Sequence, residues 1–227
     1  MQALPRTRQA TLAALQRAWP VTCAYNACLA APRTQCAAPA STFHAASYMA
    51  LSATIYKADV NVADNDRAYY GSHSLTLARH PSETDERLMV RLLAYALNAD
   101  ADENLRFTRG LSEADEPELW RLDLTGAVQT WIEVGAPDER RILKACGRAD
   151  EVIIYAYGRN APLWWSGVRN KLRKAEGKLR VYLLPADATA SLATLARRGM
   201  TLNINIQDGA AWVSAEAGEA TVEITPA

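Results

Sequence analysis

The sequence predicts an α/β fold: a mixed central sheet with helices on both faces, plus additional β-hairpins toward the N- and C-terminal ends. Three observations carry this. Residues 151–157 (Glu-Val-Ile-Ile-Tyr-Ala-Tyr) are a nearly continuous apolar run, as a strand buried on both faces is. Strand-like and helix-like periods alternate through the middle of the chain, the pattern of helices laid on a sheet. Asp64-Asn65-Asp66 and Asp208-Gly209 each separate a pair of alternating runs, which marks two hairpins.

The elements follow in order. Residues 54–62 alternate polar and apolar side chains, and 69–78 do so again, so the two form an antiparallel hairpin. Ser82-Glu83-Thr84-Asp85 approximates a capping box with Ser82 as N-cap, and a helix runs on to about Leu97. Glu86, Met89, Val90, Leu93 and Leu97 share one side of it, so Glu86 is a carboxylate on an apolar stripe. Residues 105–109 read as a short strand, 113–118 as an acidic loop, and 120–124 and 127–134 as strands joined by a Thr125-Gly126 turn. Pro137 takes the place of a first helical residue before a helix over 138–149, whose early acids suit the helix dipole. Strand 151–157, helix 162–175, strand 179–184 and helix 192–198 follow. A hairpin of 201–207 and 211–215 and a strand over 221–225 end the chain.

Composition excludes several classes of function. With 227 residues and 49% hydrophobic content, the chain can bury a core without disulfides or metals. No apolar run is long enough to span a bilayer, so no membrane partner is expected. A formal net charge of zero argues against coating nucleic acid by bulk charge, while leaving room for a local basic groove. The charge is uneven. Residues 1–48 carry Arg6, Arg8, Arg17 and Arg33 and no acid, and the remainder is correspondingly acidic. That stretch is expected to be a disordered extension or a mis-assigned start, with one folded domain over 49–227. Its Cys23, Cys28 and Cys36 match no zinc-ligand spacing, and a reducing cytoplasm is the expected location.

Asp123 and Glu133 stand on adjacent strands of one predicted hairpin. Close carboxylates repel, which raises a pKa or calls for a cation between them. A hard divalent ion with oxygen ligands, Mg²⁺ first, satisfies such a pair, and the Val134 carbonyl is a further candidate ligand. Such an ion would support phosphodiester hydrolysis. The run Arg169, Lys171, Arg173, Lys174, Lys178, Arg180 is either a solvated face or a phosphate-contacting patch, with Lys171, Arg173 and Lys174 as the candidates for binding DNA or RNA. Trp164-Trp165 is read as core in preference to a base-stacking platform.

Several long strings resemble the YaeQ family of bacterial proteins: residues 53–63 (Ala-Thr-Ile-Tyr-Lys-Ala-Asp-Val-Asn-Val-Ala), 75–87 (Leu-Thr-Leu-Ala-Arg-His-Pro-Ser-Glu-Thr-Asp-Glu-Arg), Phe-Thr-Arg-Gly-Leu at 107–111, 131–145 with its Pro-Asp-Glu-Arg-Arg, and Ile-Gln-Asp-Gly at 206–209. The resemblance covers about residue 49 to residue 226. It implies a variant of the PD-(D/E)xK nuclease fold, with a restriction endonuclease-like core, and a nuclease-like protein that acts on or binds nucleic-acid phosphodiesters. By the same resemblance, Asp123 and Glu133 fit the two strand acids and Glu86 fits the acid of the preceding helix. The motif has a lysine two residues after the second acid, where this chain has Gly135. Lys144 on the next helix, with Arg141 or Arg140 as substitutes, is the candidate replacement for stabilising a charged transition state. The missing lysine also motivates the alternative: a catalytically inactive nuclease-fold module that serves transcription or repair by binding nucleic acid or protein.

Overall fold

A computed structural model describes residues 53–102, 104–110, 113 and 115–227. The extension expected at 1–48, with three of the cysteines, lies outside the described residues. The strands form two sheets instead of one sheet with appended hairpins. The first is built from β1 (Thr54–Asp64), β2 (Tyr69–Arg79), β8 (Gly199–Gln207), β9 (Ala210–Ala215) and β10 (Gly218–Glu223), in the order β10-β9-β8-β1-β2. The N-terminal and C-terminal hairpins therefore complete each other. β1 runs parallel to β8, with Val60 opposite Leu202 and Val62 opposite Ile204. Inward side chains alternate strictly along both strands, and Ala58, Val60, Leu202 and Ile204 are buried.

The second sheet has the order β11-β7-β6-β5-β4-β3. It comprises β3 (Leu105–Phe107), β4 (Leu119–Leu122), β5 (Val128–Val134), β6 (Ala149–Tyr157), β7 (Leu179–Leu184) and β11 (Thr225–Pro226). β5, β6 and β7 are parallel, and the remaining pairings are antiparallel. Alternation along β5 and β6 sends Ile132, Val134, Ile153 and Tyr155 into the core shared with the first sheet. Trp131, Val152, Ile154 and Ala156 face a second core under the crossover helices. Those are α2 (Glu139–Arg148) and α3 (Ala161–Val168), the latter continued by a 3₁₀ helix over Arg169–Ala175.

Helix α1 (Asp85–Asn98) lies in the core between the two sheets, beside α4 (Ala186–Ala193). This explains a departure from the one-sided stripe read in the sequence. Every residue from Leu88 to Ala96 is buried, because apolar surface flanks the helix on opposite sides. Its N-cap is Thr84, whose side chain accepts from the Arg87 amide, while Ser82 bonds the His80 ring instead. The last two helices also differ from expectation. Gly167 and Val168 are weak helix formers, and there the expected single helix tightens into 3₁₀ geometry. α4 begins directly after Pro185, well before residue 192. α2 starts at Glu139, so Pro137 lies outside it and Asp138 is its N-cap, accepting from the Arg141 amide at 2.8 Å. Asp138→Ala should cost about 1 kcal/mol of stability, read from the urea midpoint.

Candidate functional site

Two carboxylates meet where β5 leaves the sheet, and one of them was not singled out in the sequence. A cleft of about 260 Å³ is lined by Arg87, Glu118, Glu133, Pro137 and Arg141, among others. Glu133 lies two residues after Trp131, on the same face of β5, and so faces α2. There Arg141 Nε donates to its Oε1 at 2.8 Å, and Trp131 Nε1 donates to the same oxygen at 2.8 Å. Arg141 Nη2 reaches Oε2 at 3.2 Å and the Glu116 carbonyl at 2.6 Å. Glu133 is 3% exposed, and burial pushes its carboxyl above the ordinary range, with Arg141 and Trp131 pulling it back.

Glu118 immediately precedes β4 and is placed by its amide, which donates to the Ile132 carbonyl at 3.0 Å. Its side chain faces α1, where Arg87 pairs with Oε1 and Arg91 Nε lies 3.0 Å from Oε2. The second approach is too oblique for a hydrogen bond. Arg91 Nη1 also forks onto Glu83, at 2.9 and 3.1 Å. Glu83, Arg91 and Glu118 are each about 97–98% removed from solvent. They form a buried chain that ends at Arg87. Burial opposes the Arg87 charge, but the Glu118 carboxylate more than offsets this and the guanidinium pKa is raised.

The register separates Asp123 from this cleft. The Asp123 amide bonds the Ala127 carbonyl, and β5 runs about 20 Å from there to Glu133. Asp123 Oδ1 accepts from the Thr125 hydroxyl and amide, both at 2.7 Å, and from the Ala127 amide at 2.8 Å. The Thr125 hydroxyl first, then these amides, hold its carboxyl below the usual range. Asp123 thus caps its own turn. Glu86 points toward α4, where its Oε1 lies 2.6 Å from the buried Thr189 hydroxyl. Lys144 is an exposed residue paired with Asp115. Val134 lines the cleft from β5. Of the expected site residues, the structure brings together Glu133, Val134 and Arg141, and leaves Glu86, Asp123 and Lys144 elsewhere.

A lysine does not fit at Gly135, where the nuclease resemblance would place one. This glycine has φ of +100°, and a Cβ there would lie 3.3 Å from Arg87 Nη1. A lysine at this position would be strained and would meet a guanidinium already beside the acid pair. Gly135→Ala should therefore cost about 1–3 kcal/mol in unfolding free energy.

The donor set does not fit a resident Mg²⁺. Among the described residues, no three His, Cys, Asp or Glu side chains gather as a metal group. Both cleft carboxylates are engaged by arginines, which an entering cation would have to displace.

The basic run divides in two. Lys171 pairs with Glu139 at 2.9 Å, Arg180 with Glu151 at 2.8 Å, and Lys178 bonds the Ala149 carbonyl at 3.1 Å. Arg169, Arg173 and Lys174 are exposed and have no acidic partner among the described residues. Arg169 and Arg173 line a hollow of about 410 Å³ with Trp165 and Glu176, and no ion pair joins Glu176 to either arginine. Trp164 is packed against the second core, with its Nε1 donating to the Pro137 carbonyl at 2.9 Å.

Comparison with known proteins now adds the family. The YaeQ protein family model matches residues 49–225. The YaeQ proteins of Salmonella typhi and Escherichia coli K12 are each 49% identical over 178 residues, which is 78% of this chain and 97% of theirs. The chain belongs to the YaeQ family. Both YaeQ relatives are described as uncharacterized. The crystal structure of YaeQ from Xanthomonas axonopodis pv. citri superposes with a TM-score of 0.74 at 48% identity, covering 77% of this chain and 98% of that one. YaeQ from Pseudomonas syringae gives 0.72 at 37% identity, covering 77% and 95%. The mixed α/β architecture is therefore that of YaeQ structures. Among the described residues, no helix is long and apolar enough to cross a membrane.

Proposed function

We propose that this YaeQ protein is a nuclease-fold module that binds nucleic acid without cutting it. The order α1, β3, β4, β5, α2, β6 supports the relation to the PD-(D/E)xK core, as does a pair of acids where two adjacent strands meet. The observation that carries the binding reading is the distribution of charge. Glu83, Glu118 and Glu133 are matched by Arg91, Arg87 and Arg141, whereas Arg169, Arg173 and Lys174 have no acidic partner among the described residues, and Arg169 and Arg173 line a hollow with a partly exposed Trp165. Unpaired cations attract phosphates, and an indole beside them offers a stacking surface for a base.

Fluorescence anisotropy with labelled single- and double-stranded DNA and RNA tests this reading. Salt-sensitive binding with intact substrate after incubation in Mg²⁺ or Mn²⁺ is expected. Cleavage that Glu133→Gln abolishes would replace this reading with the second one, a metal-dependent phosphodiesterase. One observation favours that alternative: Arg87 stands against Gly135, beside the acid pair, where the motif has its lysine. Absence of both binding and cleavage would remove nucleic acid from the account.

The raised Glu133 carboxyl gives a further expected result. A carboxyl whose folded pKa lies above its unfolded value binds its proton more tightly in the folded state. Its contribution to stability therefore falls as pH rises from the unfolded value through the folded one. Glu133→Gln should remove that slope, seen by comparing urea midpoints of the two proteins from about pH 4 to about pH 7.

A further inference from the structure

A hollow of about 670 Å³ lies on the outer face of the first sheet, away from the acid pair. It is made by strand register. Tyr70, Ala63, Asn205 and Trp212 lie opposite one another on β2, β1, β8 and β9. Tyr70 and Trp212 are 67% and 43% exposed. They stand three strand spacings apart, about 14 Å, with the small Ala63 between them. The neighbouring row places Asn61 and Asn203 side by side, and Glu219 lies beyond them on β10.

The polar floor is ordered but not saturated. Asn61 Nδ2 donates to Asn203 Oδ1 at 2.9 Å, and Asn65 Nδ2 to Asn205 Oδ1 at 3.0 Å. The Ser72 hydroxyl donates to Asn61 Oδ1 at 2.8 Å and the Tyr70 hydroxyl to Asn65 Oδ1 at 2.9 Å. The Nδ2 groups of Asn203 and Asn205 donate to no acceptor, and the Glu219 carboxylate accepts from no donor, among the described residues. Pre-positioned amide donors and a carboxylate acceptor are what vicinal hydroxyls require. The exposed aromatic faces suit the apolar C–H faces of pyranose rings. No Lys, Arg or His lines the hollow, and Glu219 is its charged group, so a phosphate polymer is disfavoured.

We propose that this face binds a neutral oligosaccharide, stacked on Trp212 and Tyr70 and hydrogen-bonded through Asn203, Asn205 and Glu219. The site is independent of the phosphodiester reading, since it shares no residue with the cleft or the basic edge.

The test is an NMR titration with maltotriose, cellotriose, mannotriose and triacetylchitotriose, following tryptophan indole N–H signals. The Trp212 signal is the one lost in Trp212→Phe. At least one trisaccharide should shift it saturably with a dissociation constant of about 1 mM or tighter. Trp212→Ala and Asn203→Ala should each weaken that binding by about tenfold or more, read from the backbone amide shifts of β8 and β9, with unchanged melting temperature. The proposal is overturned if none of the four saturates the signal, or if binding survives Trp212→Ala unchanged. It is overturned equally if the signal responds only to a thymidine oligonucleotide. A dimer in sedimentation that Trp212→Ala splits would assign the face to a second copy of the chain instead.

Discussion

Arg91→Met is expected to remove about 3–5 kcal/mol of unfolding free energy, the largest effect of any single change in the charge network. The guanidinium is 3% exposed and lies between Glu83 and Glu118, each 2–3% exposed. Methionine fills much of the same volume, so the loss comes from charge and not from a cavity. Two carboxylates would be left in the core, one retaining the His80 amide at 3.2 Å and the other retaining Arg87. The cost of an uncompensated buried charge is what urea titration would read. A second variant, Glu83→Gln with Arg91→Met, should recover part of the loss, because it removes one orphaned charge along with its partner. If Arg91→Met costs less than about 1 kcal/mol, the network is hydrated and does not anchor α1 as described.

The triple variant Arg169→Ala, Arg173→Ala, Lys174→Ala is expected to weaken nucleic-acid binding by roughly 10- to 100-fold at low salt. The slope of log affinity against log salt should shrink by about one for each phosphate contact removed. Lys171→Ala serves as the internal comparison. It belongs to the same run in the sequence, but its ammonium is paired with Glu139, so its loss should change affinity far less. Equal effects from the two variants would mean that position along the helix, not pairing, sets the patch. All three residues of the triple variant are exposed, so folding should be unaffected, which a melting curve verifies.

The contrast between Lys171 and Lys174 illustrates what a linear pattern conveys. Both are basic residues on a helical segment, and nothing local distinguishes them. The ion pair with Glu139 exists because α2 packs beside the 3₁₀ helix, a contact between elements separated in sequence. Glu118 is similar. As part of an acidic stretch before a strand it reads as a solvated loop, yet the Ile132 pairing seats it under α1. Asp123 fits the first acid of the motif by order along the chain. The length of β5 then carries it about 20 Å from Glu133.

Element types along the chain were legible because they rest on local periodicity: the apolar run of β6, the alternation of β1, β2 and β8, the Asp208-Gly209 turn and the acid-led start of α2. Family membership was legible too, since it depends on strings of residues alone. The pairing of β1 with β8 was not, nor was the burial of α1 on every side. Both depend on two ends of the chain meeting, and side-chain periodicity reports which face is buried but not what covers it. The same limit decided the site. The sequence supplied acids and arginines in sufficient number, but only the folded arrangement determined that each cleft carboxylate pairs with a guanidinium while three cations at another edge have no acidic partner among the described residues.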